Sequence, residues 1–323
     1  SAGAGGKIGQ WFGAFATMRA FYSVVGIIPM QKLVYVLFAL VARIPLPLLH
    51  GSGNVLGWLG FYTSAKTRAR IKQNVHFSKL AANDQAAEQL ARAVSRETMK
   101  GALELPLAWT RSSAHIVSLF KEIHGWEYIQ AALDQGQGLL LITPHLGSYD
   151  LAGRYISQHL PFPLTAMYRP PKLAWLEEVM NAGRVRDKGR TAPTNLQGVK
   201  QVMRALKQGE ATIVLPDQVP SEGDGVWVRF FGRPAYTMTL AARLAKTPQV
   251  TTLFFCGQRL PHGRGFALHI APLAGELTGD KVHDTQLINH NVEQWIARFP
   301  AQYLFGYNRF KGRPPADFDS SVN

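Results

Sequence analysis

The stretch Gly138 to Asp150, Gly-Leu-Leu-Leu-Ile-Thr-Pro-His-Leu-Gly-Ser-Tyr-Asp, restricts the fold more than any other part of the chain. Its apolar run, Leu139 to Ile142, suits a strand buried on both faces, as in sheets covered by helices. Pro144 and Gly147 punctuate a turn, and Ser148 stands where an N-cap would open a helix running to about Gln158. His145 and Asp150 then flank that turn. Residues at this spacing on one continuous helix point about 140° apart, so the pair meets only if the backbone bends, which Gly147 allows. The spacing itself carries little, because ten histidines and 21 acidic residues give about 0.65 His-x4-acid pairs by chance. The setting carries more. A histidine at the carboxyl end of a buried strand occupies the crevice where open α/β sheets place their sites. Catalysis and a structural histidine that bonds a loop are the two readings of that position.

Alternation continues beyond this stretch. Strands are predicted over Val117 to Ile123, Leu164 to Tyr168, Ala211 to Pro216, Val250 to Gly257 and Phe266 to Ala271. Helices are predicted over Trp126 to Asp134, Leu173 to Arg186, Gly198 to Lys207, Tyr236 to Lys246 and Asp284 to Phe299. The pattern predicts an α/β fold with a largely parallel, covered sheet and no internal repeat. Before it, Asp84 to Leu105 reads as an amphipathic packing helix with Ala87, Leu90, Val94, Thr98, Gly101 and Leu105 inward, ended or kinked by Pro106. His50-Gly51-Ser52-Gly53 resembles an oxyanion loop but lacks a nucleophile, and reads as a turn.

The N-terminal region has a different composition. Ser1 to Gly6 reads as a cloning scar. From Ile8 to Leu49 the chain is apolar and aromatic but is interrupted by Arg19, Lys32 and Arg43. The longest charge-free piece between them, Ala20 to Gln31, would span about 18 Å of a roughly 30 Å hydrocarbon layer. An interfacial anchor is therefore expected, with Trp11, Phe12, Phe15, Phe21, Tyr22, Tyr35 and Phe38 on its apolar side; an amphipathic helix capping the core is the other reading. The basic cluster Lys66, Arg68, Arg70 and Lys72 follows and favours anionic lipid. The divisions expected are 7–60 as anchor, 61–115 as helical lead-in, 116–313 as α/β core and 314–323 as tail. The 35 basic and 21 acidic residues give a net charge of +14, which predicts an anionic partner. The aromatics concentrate in the anchor rather than among basic residues on a strand face, which argues against nucleic acid. The single Cys256, in an apolar run, reads as a buried structural thiol and fits a reducing, cytoplasm-facing location.

Several chemistries lack local support. There is no Gly-x-Ser-x-Gly elbow, Walker loop, cysteine pair or His-Glu-x-x-His, so serine hydrolysis, nucleotide hydrolysis and zinc chemistry have nothing local behind them. Besides His145 and Asp150, polar islands follow two later strands: Tyr168-Arg169-Pro170-Pro171-Lys172 and Pro216-Asp217-Gln218. A base, a cation and an acid at three strand ends would converge on one crevice.

These residues also resemble a family. His145-Leu-Gly-Ser-Tyr-Asp150, Tyr168 to Lys172, Leu215 to Gln218 followed by Val226 to Pro234, and Ala301-Gln-Tyr303 before Arg309-Phe-Lys311 resemble the late lipid A acyltransferases. Those are lauroyl and myristoyl transferases within the lysophospholipid and glycerol-phosphate acyltransferase superfamily. The chain departs from the family pattern at Gly147-Ser148-Tyr149-Asp150, where Gly-Asn-Trp-Glu is common, at Leu173, and at Tyr307-Asn308. The resemblance implies the glycerolipid-acyltransferase type of sheet and an O-acyltransferase at the cytoplasmic face of the inner membrane. Family members of this type take the acyl chain from acyl carrier protein, or sometimes from coenzyme A, and the resemblance implies no metal or bound cofactor. His145 would act as general base, with Asp150 on its other ring nitrogen and backbone N–H groups near Ser148 and Tyr149 as oxyanion donors. Arg169, Asp217, Gln218 and Arg190 would bind substrate. A glycerolipid acyltransferase and a non-catalytic basic lipid binder are the alternatives.

Overall fold

The computed structural model describes residues 30–168, 188–316 and 318. Its centre is a seven-stranded, largely parallel sheet of spatial order β1-β9-β8-β2-β5-β3-β4. The strands are β1 (Phe120–His124), β2 (Gly138–Ile142), β3 (Leu164–Tyr168), β4 (Gly189–Pro193), β5 (Ala211–Val214), β8 (Val250–Arg259) and β9 (Phe266–Pro272). Only β8 and β9 pair antiparallel within this sheet. Every residue of β2 is buried. Leu140 and Ile142 enter one hydrophobic cluster and Leu139 and Leu141 the other, so helices cover both faces and the apolar run has no polar side. Cys256 is buried in β8 and burial pushes its thiol up to about 12, as expected of a structural cysteine.

The helices are α1 (Met30–Val41), α2 (Leu46–Thr63), α3 (Ala65–Ser78), α4 (Asp84–Thr110), α5 (Ser113–Leu119), α6 (Trp126–Asp134), α7 (Tyr149–His159), α8 (Leu196–Lys207), α9 (Leu240–Ala245) and α10 (Lys281–Arg298). Several elements differ from expectation. Val117 to Leu119 close α5 rather than open β1. β4 is an edge strand reading Gly-Arg-Thr-Ala-Pro, whose lack of an apolar run leaves no strand signal in the sequence. Val226 to Pro234 lies in an antiparallel hairpin of β6 (Gly225–Phe230) and β7 (Arg233–Met238), and Tyr236 to Met238, expected to be helical, belongs to it. Its two-residue connection has positive φ at Phe231 (49°) and Gly232 (73°), the geometry of the turns that match strand twist. The expected helix Leu173 to Arg186 lies outside the described residues.

The N-terminal helices are tied to the core. α4 continues through Pro106 to Thr110 instead of ending there. His50 to Gly53 is a stretch of helix, not a turn. Its small residues allow α2 to lie against α4: a side chain at Gly57 would meet Arg96 Cα at 2.4 Å. The outward residues of α1 and α2, among them Leu40, Leu48, Val55 and Trp58, are exposed. Among the described residues no single helix is long and apolar enough to cross a membrane, but Lys32–Val41 and Leu46–Thr63 qualify as a pair bent by 107°. Trp11, Phe12, Phe15, Phe21 and Tyr22 lie outside the described residues. In the basic cluster, Arg68 donates to the Phe61 and Tyr62 carbonyls and Lys72 pairs with Glu88, so part of it serves the fold.

Candidate active site

The site is built by two neighbouring parallel strands of equal reach. β2 and β5 are in register from Leu139 opposite Ala211 to Ile142 opposite Val214. Each then passes through a proline into a polar residue, Thr-Pro-His145 on one and Leu-Pro-Asp217 on the other. Equal extension brings the two side by side. Asp217 Oδ1 lies 2.8 Å from His145 Nδ1, and its Oδ2 accepts from the His145 backbone N–H at 2.9 Å. Burial would raise the Asp217 carboxyl, yet the adjacent His145 outweighs it and holds the carboxyl below its ordinary value. The Gln218 amide nitrogen lies 3.1 Å from His145 Nε2. Both contacts agree with a neutral ring in which Nδ1–H donates to Asp217 and the Nε2 lone pair accepts from Gln218. Asp217 is buried, while the His145 side chain is 16% exposed.

This geometry corrects the role expected of Asp150, because the carboxylate on the second ring nitrogen is that of Asp217. The sequence signal was present as the shared pattern of apolar strand, proline and polar residue, but pairing the two copies required the strand order. Asp150 sits in the first turn of α7, where a carboxylate suits the helix dipole. It lines the two cavities that meet at His145, one of about 920 Å³ and one of about 230 Å³. Arg190, on β4, lines the larger and pairs with Glu210 at 3.2 Å. Arg169 lies outside the described residues.

The turn itself is held from behind. Gly147 has φ 61°, and a side chain there would meet Gly257 O at 2.2 Å, so glycine is required both for conformation and for space. Ser148 occupies the N-cap position without capping, and its N–H donates to Gly257 O at 2.7 Å. That N–H is therefore committed to the fold and is not the expected oxyanion donor. A second correction concerns α4, expected only to pack. Its buried Glu104 accepts from Arg259 (2.7 and 2.9 Å) and contacts His50 Nε2 at 2.8 Å. Arg259 also donates to Gly147 O at 3.0 Å. Burial would raise Glu104, but Arg259 and His50 hold it down at about 2.

A histidine at a cavity edge, oriented by a buried carboxylate at the carboxyl ends of parallel strands, has the equipment of a base-catalysed transferase. Comparison with known proteins gives the particular family. Residues 26–312 match the family model described as bacterial lipid A biosynthesis acyltransferase. The chain belongs to that family and is an O-acyltransferase, which removes the non-catalytic lipid binder. It is 26% identical over 280 residues to the lipid A biosynthesis lauroyltransferase of Escherichia coli (strain K12), covering 85% of this chain and 89% of that one. It is 27% identical over 279 residues to the lipid A biosynthesis palmitoleoyltransferase of the same organism, covering 84% and 88%. A phosphatidylinositol mannoside acyltransferase of Mycobacterium tuberculosis (strain ATCC 25618 / H37Rv) is 25% identical over 187 residues, 57% of this chain and 58% of that one.

Proposed function

We propose that the protein moves a fatty acyl chain from acyl carrier protein to a hydroxyl of a phosphorylated lipid A precursor, at the cytoplasmic face of the inner membrane. The observation that carries the mechanism is the His145 ring, bound at Nδ1 by buried Asp217 and with Nε2 toward Gln218 at the edge of a cavity that both residues line. The acceptor hydroxyl takes the place of Gln218 on Nε2 and loses its proton to the ring as its oxygen attacks the thioester carbonyl. Asp217 stabilises the imidazolium, and the substrate hydroxyl replaces the serine of a hydrolase triad, so no acyl-enzyme is needed. The displaced Gln218 amide is placed to donate to the oxyanion. Collapse expels the thiolate, which takes the proton back from the imidazolium. The cavities meeting at His145 give donor and acceptor separate approaches. Asp150 stands at their junction, and Arg169, in the segment following β3, would grip the acceptor phosphate with its fork. Neither a metal nor a bound cofactor enters the scheme.

A net charge of +14 favours both an acidic carrier protein and an anionic membrane. The exposed apolar faces of α1 and α2, bent too sharply for a straight span, support an interfacial mode of attachment. The test is a detergent assay of the full chain with an acyl-carrier thioester, offering a lipid A precursor and a lysophospholipid in parallel. Transfer to the first is expected, and His145→Ala should lower turnover by at least about 10²-fold. Preferential use of the lysophospholipid would move the chain to the glycerolipid reading. Near-normal turnover in folded His145→Ala would remove the histidine from the chemistry.

A further inference from the structure

α8 carries a charge pattern that the proposed chemistry does not use. Its twelve residues, Leu-Gln-Gly-Val-Lys-Gln-Val-Met-Arg-Ala-Leu-Lys, include three bases and no acid. Val202, Ala205 and Leu206 are buried, and Gly198 lies so close to β4 that a side chain there would meet Pro193 O at 1.7 Å. The helix is thereby held with one face outward. Leu196, Lys200, Arg204 and Lys207 follow one another at helical spacing along that face, and all four are exposed, Leu196 by 80%. Arg243 of α9 joins them, its guanidinium 3.7 Å from Met203 Sδ. Among the described residues neither Arg243 nor any base of α8 pairs with a carboxylate, and Glu210, which follows the helix, is engaged by Arg190. Arg204 and Lys207 also suit the carboxyl end of the helix dipole, but Lys200 stands in mid-helix, where that use is absent. The face begins at the active site, because Leu196 and Arg243 line the same cavity of about 920 Å³ as His145. The described lining of that cavity carries Arg154, Arg190 and Arg243 against Asp150 and Asp224.

We infer that the basic face of α8, with Arg243, is the docking surface for the acidic carrier protein that brings the acyl thioester, and that the thioester enters the larger cavity past Leu196. The inference rests on the acyl-carrier reading of the donor. Its physical basis is charge complementarity: cations without carboxylate partners, held on a fixed helix at the mouth of the site, steer an acidic protein to that mouth. The face has the wrong composition for an interfacial membrane helix. Apart from Leu196 its outward residues, Gln197 and Gln201 included, are polar or charged, whereas α1 and α2 turn Leu40, Leu48 and Trp58 outward. It also lies apart from those helices. α8 packs on β2, β5, β3 and β4, toward the β4 edge of the sheet, while α1 packs on α4, and α2 on α4 and on the turn Pro261–Gly263 between β8 and β9. Thr98, Gly101 and Leu105 of α4 line the smaller cavity, which leaves that cavity to the acceptor arriving from the side of the membrane-attaching helices.

The experiment measures binding of purified acyl carrier protein, bearing no acyl chain, to the full chain in micelles of a neutral detergent at low salt, with thermal unfolding alongside. A carrier without its acyl chain reads the protein surfaces and not the chemistry. Lys200→Glu, Arg204→Glu and Lys207→Glu together should weaken binding at least about tenfold, and the difference should shrink as added salt screens the charges. With acylated carrier as donor, the same reversal should raise KM and spare kcat. Replacing the three by glutamine should give a smaller loss, and decides the matter if acids near the carboxyl end of α8 prevent folding. Lys121→Glu, Arg264→Glu and Lys281→Glu, at exposed bases on other elements, change the net charge equally and should weaken binding far less. Equal binding by the reversed and unaltered chains would overturn the docking face while leaving carrier protein as the donor. Equal losses from the two sets of reversals would overturn it too, because net charge alone would then attract the carrier. Weaker co-sedimentation with anionic phosphatidylglycerol vesicles, at unchanged carrier binding, would assign the face to the membrane instead. Absence of carrier binding by the unaltered chain would remove the carrier as donor and the docking face with it, even if a coenzyme A thioester still served.

Discussion

The molecule contains two histidine–carboxylate pairs of the same length in different surroundings. His145 Nδ1 lies 2.8 Å from Asp217, and His50 Nε2 lies 2.8 Å from Glu104. The first sits at a cavity edge with its other ring nitrogen facing Gln218. The second is sealed between α2, α4 and β8, and a permanent cation, Arg259, grips the same carboxylate with two of its nitrogens. On the proposed mechanism only the first pair serves as a base, so proximity of imidazole and carboxylate is not enough by itself. Asp217 can respond to a proton arriving on its histidine, whereas the charge of Glu104 is already neutralised by a guanidinium that never titrates. The inner pair is instead a strut, since Arg259 carries its hold onward to Gly147 O in the turn after His145.

The strongest way to break this comparison is Asp217→Asn, which keeps shape and removes charge. Turnover should fall by about 10²-fold or more, because an amide neither fixes the tautomer nor stabilises the imidazolium. The acid limb of kcat/KM should move to lower pH. Retained turnover with an unmoved limb would mean that Asp217 only shapes the loop.

Glu104→Gln probes the inner pair and should act first on stability. Leaving buried Arg259 with only Glu97, at 3.6 Å, as counter-ion should cost about 3 kcal/mol, read from the urea midpoint. The pH dependence has a defined sign. The folded Glu104 carboxyl is depressed to about 2, so its contribution is complete above the ordinary carboxylate range and is lost as pH falls toward that value. The variant should lack this acid-side loss. If Glu104→Gln matched Asp217→Asn in turnover without loss of stability, the strut would belong to the chemistry.

The smallest effect on turnover in micelles is expected from the outer side of the helices that bear on the strut. Replacing exposed Leu40, Leu48 and Trp58 together by lysine should weaken vesicle co-sedimentation and leave turnover in micelles near normal. Unaltered vesicle binding would place the membrane contact elsewhere. Cutting the chain at Leu49 would be a poorer test, because Leu49 and His50 are buried against the core.

Much of the architecture was legible where one physical signal dominated. The fully apolar β2, the covered sheet, the buried Cys256 and the helices α6, α7 and α8 follow from runs and periodicities that no tertiary contact overrides. Where local signals were weak, the sequence misled. β4 carries Arg and Thr at an edge, the hairpin turns on Phe231-Gly232, and His50 to Gly53 reads locally as a turn although α4 packs it as helix.

The sequence by itself determined that a histidine would stand at the end of a buried strand, with a bend at Gly147 and acids and amides at other strand ends. Only the tertiary structure decided which acid reaches the ring. That choice depends on β5 lying beside β2 in parallel register, and strand order is set by how helices cover the two faces of the whole sheet, a non-local balance of burial that local residue spacing does not carry. The same holds for Glu104 and Arg259, 155 residues apart in the chain. Their pairing arises because two charges removed from water must find each other.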